Sequence, residues 1–343
     1  DHFVVIADEA TFNEEHLYEC RETLQNVLSD SVYNVRVCFG IYRTDNMNES
    51  LSFMCDKASF AVASIKDDTH SFIAYYDDTM LEAAIKYKTI VDEFDDAIKA
   101  GEFKMYLQPQ ISAKTRRLTG AEALVRRIKP DGTIISPIDF IPVYEKSGLI
   151  SRLDRYIWEQ AAAKLGEWKK AGINMSISVN ISPKDFYYID IFNTFAGLIK
   201  KYDIEPSNLK IEITETTIMS DVPNLMGELE ELRKAGFTLE MDDFGSGYSS
   251  LNTLKDINVD VLKVDMGFIK ETKNVKKSRI ILASVIKMAK ELNLLIITEG
   301  VETEEQVDNL TKLGCDVFQG YYFSKAIDVN EFEKRYLYRK KAG

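Results

Sequence analysis

From Phe103 onward, short apolar runs alternate with longer stretches whose apolar residues recur every three or four positions. The runs are "KMYLQPQI", "GAEALVRRI", "MSISVNI", "LKIEITE", "TLEMDDF", "VLKVDM", "LLIITEGV" and "DVFQGYYF". Runs of this length, rich in β-branched and aromatic residues, read as strands. The stretches between them, such as "LDRYIWEQAAAKLGEWKKAG", "NLMGELEELRKAG" and "KSRIILASVIKMAKELN", carry helical periodicity. Helical stretches close on Gly172, Gly236 and Gly314, the usual left-handed stop. Eight strands with interleaved helices over roughly 240 residues predict an α/β fold, a modified TIM-type (β/α)8 barrel. The first two runs are joined only by "SAKTRRLTG". So short a connection permits only antiparallel pairing, so the barrel should carry one antiparallel strand.

The first 76 residues alternate in the same way. "FVVIA", "NVRVCFGIY" and "HSFIAYY" read as strands, and "NEEHLYECRETLQNVLSD" and "ESLSFMCDKASFAVASI" as helices. Residues 77–101 are charged and helix-periodic, and they read as a linker helix between a small α/β segment (1–76) and the barrel (102–343).

A length of 343 residues suits about two domains, and 45% apolar residues suffice for a full core. The net charge of −12 argues against a protein that coats duplex nucleic acid, which would carry a basic surface. Cys20, Cys38, Cys55 and Cys315 have no paired spacing and read as buried thiols in a reducing compartment. No apolar run approaches the ~18 residues of a membrane span. A cytoplasmic protein is expected, or the cytosolic portion of a longer, membrane-anchored one. All three histidines, His2, His16 and His70, precede position 71. Chemistry in the barrel must therefore work without imidazole, and any metal there needs oxygen ligands, which suits Mg²⁺ or Mn²⁺.

In barrels of this kind the strand interiors are apolar and the working residues sit at the C-terminal strand ends. Here those ends are polar. Asn180 closes "SISVN", Glu212 and Glu215 lie in "IEITE", and Asp242 and Asp243 close "LEMDD". Lys263 and Asp265 end "VLKVD", Glu299 ends "IITE", Gln319 follows "DVF", and Glu122 interrupts the second strand. Singly, each has an ordinary explanation as a helix cap, an ion-pair partner or a loop residue. Together, the carboxylates would repel one another unless cations intervene, and divalent metals are the simplest such cations.

In isolation "TLEMDDFGSGYSS" (238–250) has three readings: a kinase "DFG", a phosphate-cradling glycine loop, or a metal-binding strand end. No HRD-type run accompanies it and no P-loop Lys-Ser/Thr ends it, which leaves the third. With "AEALVR", "SVNIS", "EITET", "DDFGSGYSS", "LKVD", "TEGVET" and "QGYYFSK" in order, the chain resembles the EAL domains, bacterial phosphodiesterases that hydrolyse cyclic di-GMP. The resemblance runs from about Phe103 to Phe332. It implies a two-metal (Mg²⁺ or Mn²⁺) hydrolysis to linear 5′-pGpG. The implied metal ligands are Glu122, Asn180, Glu212, Asp242, Asp243 and Glu299. Lys263 would hold the attacking water and help to deprotonate it, beside Glu122 and Glu299 as catalytic carboxylates. Gln108, Leu124 and Arg126 would contact the dinucleotide, Glu302 a guanine edge, and Gln319 the catalytic centre. Glu215 would anchor the 242–250 loop, and the family implies a homodimer through the barrel. Three positions depart from the family pattern: Arg127 stands where Trp is usual, Thr298 for Ala, and Ala326 for Pro. They bear on nucleotide contacts and packing, because no implied ligand is lost.

The opening "DHFVVI", with "VRVCFGIY" and "CDKASFAVASI", resembles the C-terminal part of a GGDEF domain, with His2 where that family has Glu. A degenerate, inactive cyclase remnant is the expectation, with an unrelated α/β cap as the alternative. For the whole chain, the alternative to a phosphodiesterase is a cyclic di-GMP receptor that binds without turnover, and beyond that an interaction module that has lost nucleotide binding.

Overall fold

The computed structural model describes residues 3–28, 36–44, 46, 48–66, 68, 70–220, 222, 224–244, 254, 257–266 and 275–338. It divides into two units, residues 1–92 and 93–343. In the first, β1 (Phe39–Ile41) and β2 (Ile73–Tyr75) pair in parallel, with the helix Leu51–Ser64 between them in sequence. The helices Glu15–Leu28 and Asp78–Asp92 complete it. The "FVVIA" run forms no strand. Phe3, Val4, Val5 and Ile6 are exposed, because no described neighbour takes up their backbone hydrogen-bonding groups. His2 lies outside the described residues. The segment expected to be one connecting helix is two, Asp78–Asp92 and Phe94–Lys99, and the division between the units falls between them.

The second unit is a closed barrel. Its eight staves are β3 (Phe103–Ser112), β4 (Leu118–Ile128), β6 (Ile177–Ile181), β7 (Leu209–Thr214), β8 (Leu239–Asp242), β9 (Val261–Asp265), β10 (Leu295–Glu299) and β11 (Val317–Phe318). Two short strands, β5 (Ile134–Ile135) and β12 (Ile327–Asp328), flank β4 and β3. All staves run parallel except β3, which is antiparallel to both β4 and β11. That is the reversed strand the short "SAKTRRLTG" connection demands.

Helices cover the outside because their apolar residues recur on one stripe. On Ile150–Lys170 the buried residues include Leu153, Ile157, Trp158, Ala161, Leu165 and Trp168, the spacing of a core-facing helix. The helix Glu304–Leu313 starts with a reciprocal cap between Thr303 and Gln306, which satisfies two otherwise orphaned backbone donors. Gly172, Gly236 and Gly314 all have positive φ, at 75°, 95° and 96°.

The barrel interior corrects one expectation. Along β7, Leu209, Ile211 and Ile213 share one face while Lys210, Glu212 and Thr214 share the other. Glu212 reaches Lys263 across the barrel, so the polar face is the inner one. Lys210 Nζ pairs with the fully buried Glu240 at 2.9 Å. β6, β7 and β8 thus turn apolar residues to the helices and polar ones inward, while Val261 and Ile297 share the inner faces of Lys263 and Glu299 on β9 and β10. Of the cysteines expected to be buried thiols, only Cys315 is buried. Cys20 is exposed, Cys38 and Cys55 are partly exposed, and all four are free. Thr298 donates its hydroxyl to Cys315 Sγ at 3.1 Å, which gives this departure from the family pattern a packing role. Burial pushes the Cys315 thiol up to about 11.

Arg127, the other departure at a strand, is buried between Glu93 (2.7 Å) and Glu102 (2.9 Å). It ties the segment that enters the barrel to β4. Removing the cation leaves Glu102 without its partner in a largely buried place, a change that typically costs about 3 kcal/mol. Arg127→Met should lower the unfolding free energy by about that much in urea titration. A loss under about 0.5 kcal/mol would show that the pair is only superficial.

Candidate active site

Lys263 sits on β9 with no solvent exposure. Its Nζ lies 2.6 Å from Glu299, 2.9 Å from Glu212, 3.4 Å from Asp242 and 3.5 Å from Glu122. The ends of β8 and β10 and inner positions of β4, β7 and β9 deliver these groups, because β4 is long enough to carry Glu122 level with the neighbouring strands. Glu122 stands opposite Gln108 on β3 and Ser178 on β6. Asn180 donates to Glu122 Oε1 at 3.3 Å, and Gln319 donates to Glu122 Oε2. The Trp158 indole N–H donates to the Asn180 carbonyl at 2.9 Å, which fixes the strand end that bears Asn180. Gly320 permits the position of Gln319: a Cβ there would lie 2.3 Å from the Val301 nitrogen, and the backbone N–H of Val301 donates to the Gln319 carbonyl at 3.2 Å.

At about 3 Å and an effective dielectric near 20, each charge pair is worth about 5 kcal/mol. One ammonium cannot balance four carboxylates that also repel one another over similar distances. Two of the four carboxyl groups are pushed toward their protonated forms. Burial and the neighbouring Glu122 raise Glu212 well above the ordinary carboxylate range. Burial, with Asp242 and Glu122 adding repulsion, lifts Glu299 to about 8. For Lys263, burial opposes the charge, but Glu122, Glu212, Glu299 and Asp242 outweigh it and hold the proton on Nζ.

The donor set fits a hard divalent cation. It consists of carboxylate and amide oxygens with no sulfur or imidazole. Both Glu212 oxygens and Glu299 Oε1 are buried and meet no hydrogen-bond geometry among the described residues. Four carboxyl groups around a single ammonium leave an excess of negative charge that a further cation would offset. As the side chains stand, no three His, Cys, Asp or Glu groups among the described residues are gathered around one metal position, because the Lys263 ammonium occupies the centre.

The remaining expected residues are placed as follows. Asp243 is exposed on the rim, in the left-handed region at φ 56°, and its N–H donates to Asp242 Oδ1 at 2.8 Å. Aspartate is one of the few residues that tolerate this conformation. Leu124 and Arg126 follow Glu122 on the same face of β4 and are half-buried, with Arg126 over the Tyr106 ring at 5.9 Å. Gln108 joins the cluster through Gln319, at 3.3 Å. Glu302 is exposed, and its N–H donates to Gln306. Glu215 is fully buried at the start of the helix Glu215–Ile218. Residues 245–250 of the loop it is expected to anchor, with Gly245 and Gly247, lie outside the described residues. Three inward residues escaped the sequence reading: Gln110, Lys210 and Glu240. The strict alternation in "LKIEIT" was the available signal.

The site and fold together define a carboxylate-rich barrel with its acidic rim at the strand C-termini. The chain belongs to the EAL domain family, whose model matches residues 91–326. It is 36% identical over 252 residues to the probable cyclic di-GMP phosphodiesterase PdeG of Escherichia coli (strain K12), covering 71% of this chain and 48% of that protein. It is 28% identical over 338 residues to the bifunctional diguanylate cyclase/cyclic di-GMP phosphodiesterase MucR of Pseudomonas aeruginosa, covering 96% of this chain and 49% of that one. The chain therefore spans about half the length of these two relatives. Among solved structures, the PaMucR phosphodiesterase in complex with c-di-GMP matches with a TM-score of 0.67 at 32% identity, over 71% of this chain and 99% of that one. No helix among the described residues is long and apolar enough to cross a membrane.

Beneath Asn180, the helix Ile150–Lys170 and the turn at Asp185 bring two carboxyl groups together. Asp185 is fully buried and accepts the Ser182 N–H at 2.8 Å. Burial, then the neighbouring Asp185, raises Asp154 well above its ordinary range, and burial lifts Asp185 to about 6. Both bind protons more tightly folded than unfolded. Their contribution is therefore complete below the ordinary carboxylate range and is lost as pH rises through the raised values, about 6 for Asp185. Asp185→Asn should shrink the difference in urea midpoint between about pH 5 and about pH 7.5. An unchanged difference would remove the pair from this role.

Proposed function

We propose that the chain hydrolyses one phosphodiester bond of cyclic di-GMP to linear 5′-pGpG, using two divalent cations, Mg²⁺ or Mn²⁺. The observation that carries this reading is the surplus of buried carboxylates around Lys263. Glu122, Asn180, Glu212, Asp242, Asp243 and Glu299 would hold the ions. When bound, such ions supply Lewis-acid charge that activates water and stabilises the leaving oxygen.

The chain's own groups do the rest. Lys263 keeps its proton while four carboxylates face it. Where cations neutralise those carboxylates, the ammonium would first release its proton to solvent, and the neutral amine would then hold the attacking water and accept a proton from it. Arg126 clamps a phosphate as a bidentate donor. Gln108, Leu124 and Gln319 seat the dinucleotide, and Glu302 takes a guanine edge. The c-di-GMP bound in the PaMucR structure and the names of the relatives support this ligand. Extension of the MucR match over 96% of the chain supports reading 1–76 as a degenerate GGDEF remnant. Free cysteines support a reducing, cytoplasmic setting, and a homodimer through the barrel is the proposed assembly.

A receptor without turnover is the second reading, favoured by the Lys263 ammonium at the centre of the cluster. One assay separates the two: purified chain with cyclic di-GMP and Mg²⁺ or Mn²⁺, products resolved by chromatography. We expect pGpG, and tight binding without pGpG would establish the receptor. Glu122→Ala and Lys263→Ala should each lower kcat by at least about a hundredfold, and near-normal rates would remove the assigned roles. Calcium should inhibit, because its larger and looser shell suits a Mg²⁺ geometry badly. Equal rates in calcium and magnesium would contradict this.

A further inference from the structure

Behind the acidic cluster lies a file of buried glutamines. Gln110 is 1% exposed and Gln319 2%. One end of the file fixes its polarity. Gln319 turns its NH₂ to that side and donates to Glu122 Oε2. The same nitrogen donates to Gln108 Oε1 at 3.3 Å. The Gln319 carbonyl oxygen then faces away, and Gln110 Nε2 donates to it at 3.2 Å. Gln108 passes the order on, donating to the Ser324 carbonyl at 3.3 Å.

Each amide has one donor end and one acceptor end, so a flip of Gln319 would aim a carbonyl at a carboxylate and an NH₂ at the Gln110 NH₂. Glu122 and Gln108 oppose the flip from the donor side, and Gln110 opposes it from the acceptor side. Its own place is cut out by the partner strand. Gln110 pairs with Gly120, and a Cβ at 120 would lie 2.9 Å from Gln110 Oε1 and 2.6 Å from Ser176 Oγ.

We infer that Gln110 is a positioning residue: it locks the Gln319 amide with its NH₂ toward Glu122, and through that contact it orients the Glu122 carboxylate. Its kinetic consequence rests on the hydrolase reading, whereas its effect on Gln319 does not. In Gln110→Met the Gln319 side-chain amide, assigned in NMR spectra through Gln319→Met, should exchange its protons at least about tenfold faster. The same variant should lower kcat by about tenfold, and in the Gln319→Met background it should have no further effect. Gly120→Ala, which crowds the Gln110 carbonyl, should act in the same direction if Gln110→Met fails to fold. Unchanged amide exchange in the variants, or kcat losses that multiply across Gln110 and Gln319, would overturn the inference. Should the wild-type chain not hydrolyse cyclic di-GMP, the hydrolase reading fails and amide exchange alone decides the role of Gln110.

Discussion

An ammonium stripped of all its water is stable only where negative charge surrounds it, and Lys263 is such a group. Four carboxylates within 3.5 Å supply that charge, and they oversupply it. The surplus is the source of the site's chemistry. Burial and this surplus together raise Glu212 and Glu299, and they make the rim a place where added cations lower the free energy.

The barrel has to bury this charge without losing its core. It does so by inverting the usual arrangement on β6, β7 and β8, with Ile211, Ile213, Val179 and Met241 buried on the strands and polar side chains within. Each fully buried aliphatic side chain contributes about 1.5–3 kcal/mol, so the shell between strands and helices carries the stability. The interior is thereby left free for Lys210–Glu240, the glutamine file and the Lys263 cluster. Layered in this way, the polar groups orient one another: Trp158 fixes Asn180, Gln319 meets Glu122, and Gln110 meets Gln319.

Much of the architecture was legible along the chain. A carboxylate or amide closing an apolar run marks a strand end, and closure of the barrel brings Asn180, Glu212, Asp242, Lys263 and Glu299 to one rim. The turn "SAKTRRLTG" disclosed the reversed strand through its length alone. What stayed illegible depends on partners far away in sequence. Lys210 and Glu240 carry no signal of their pairing until adjacent strands bring them to 2.9 Å, and Gln110 gains meaning only 209 residues later, at Gln319. Arg127 has a packing role, but its partners, Glu93 and Glu102, are not readable from the sequence. "FVVIA" has strand composition but no described strand beside it, and composition alone forms no sheet.

The central claim is that the surplus negative charge around Lys263 is a cation site. Calorimetric titration with Mn²⁺ of the wild-type chain and of Glu212→Gln tests it most directly. Glu212 is fully buried and lies 2.9 Å from Lys263 Nζ, so neutralising it removes both charge and ligand. The account predicts saturable uptake of two ions by the wild type, and loss or marked weakening of that uptake in the variant. No saturable uptake, or identical isotherms for the two proteins, would contradict it.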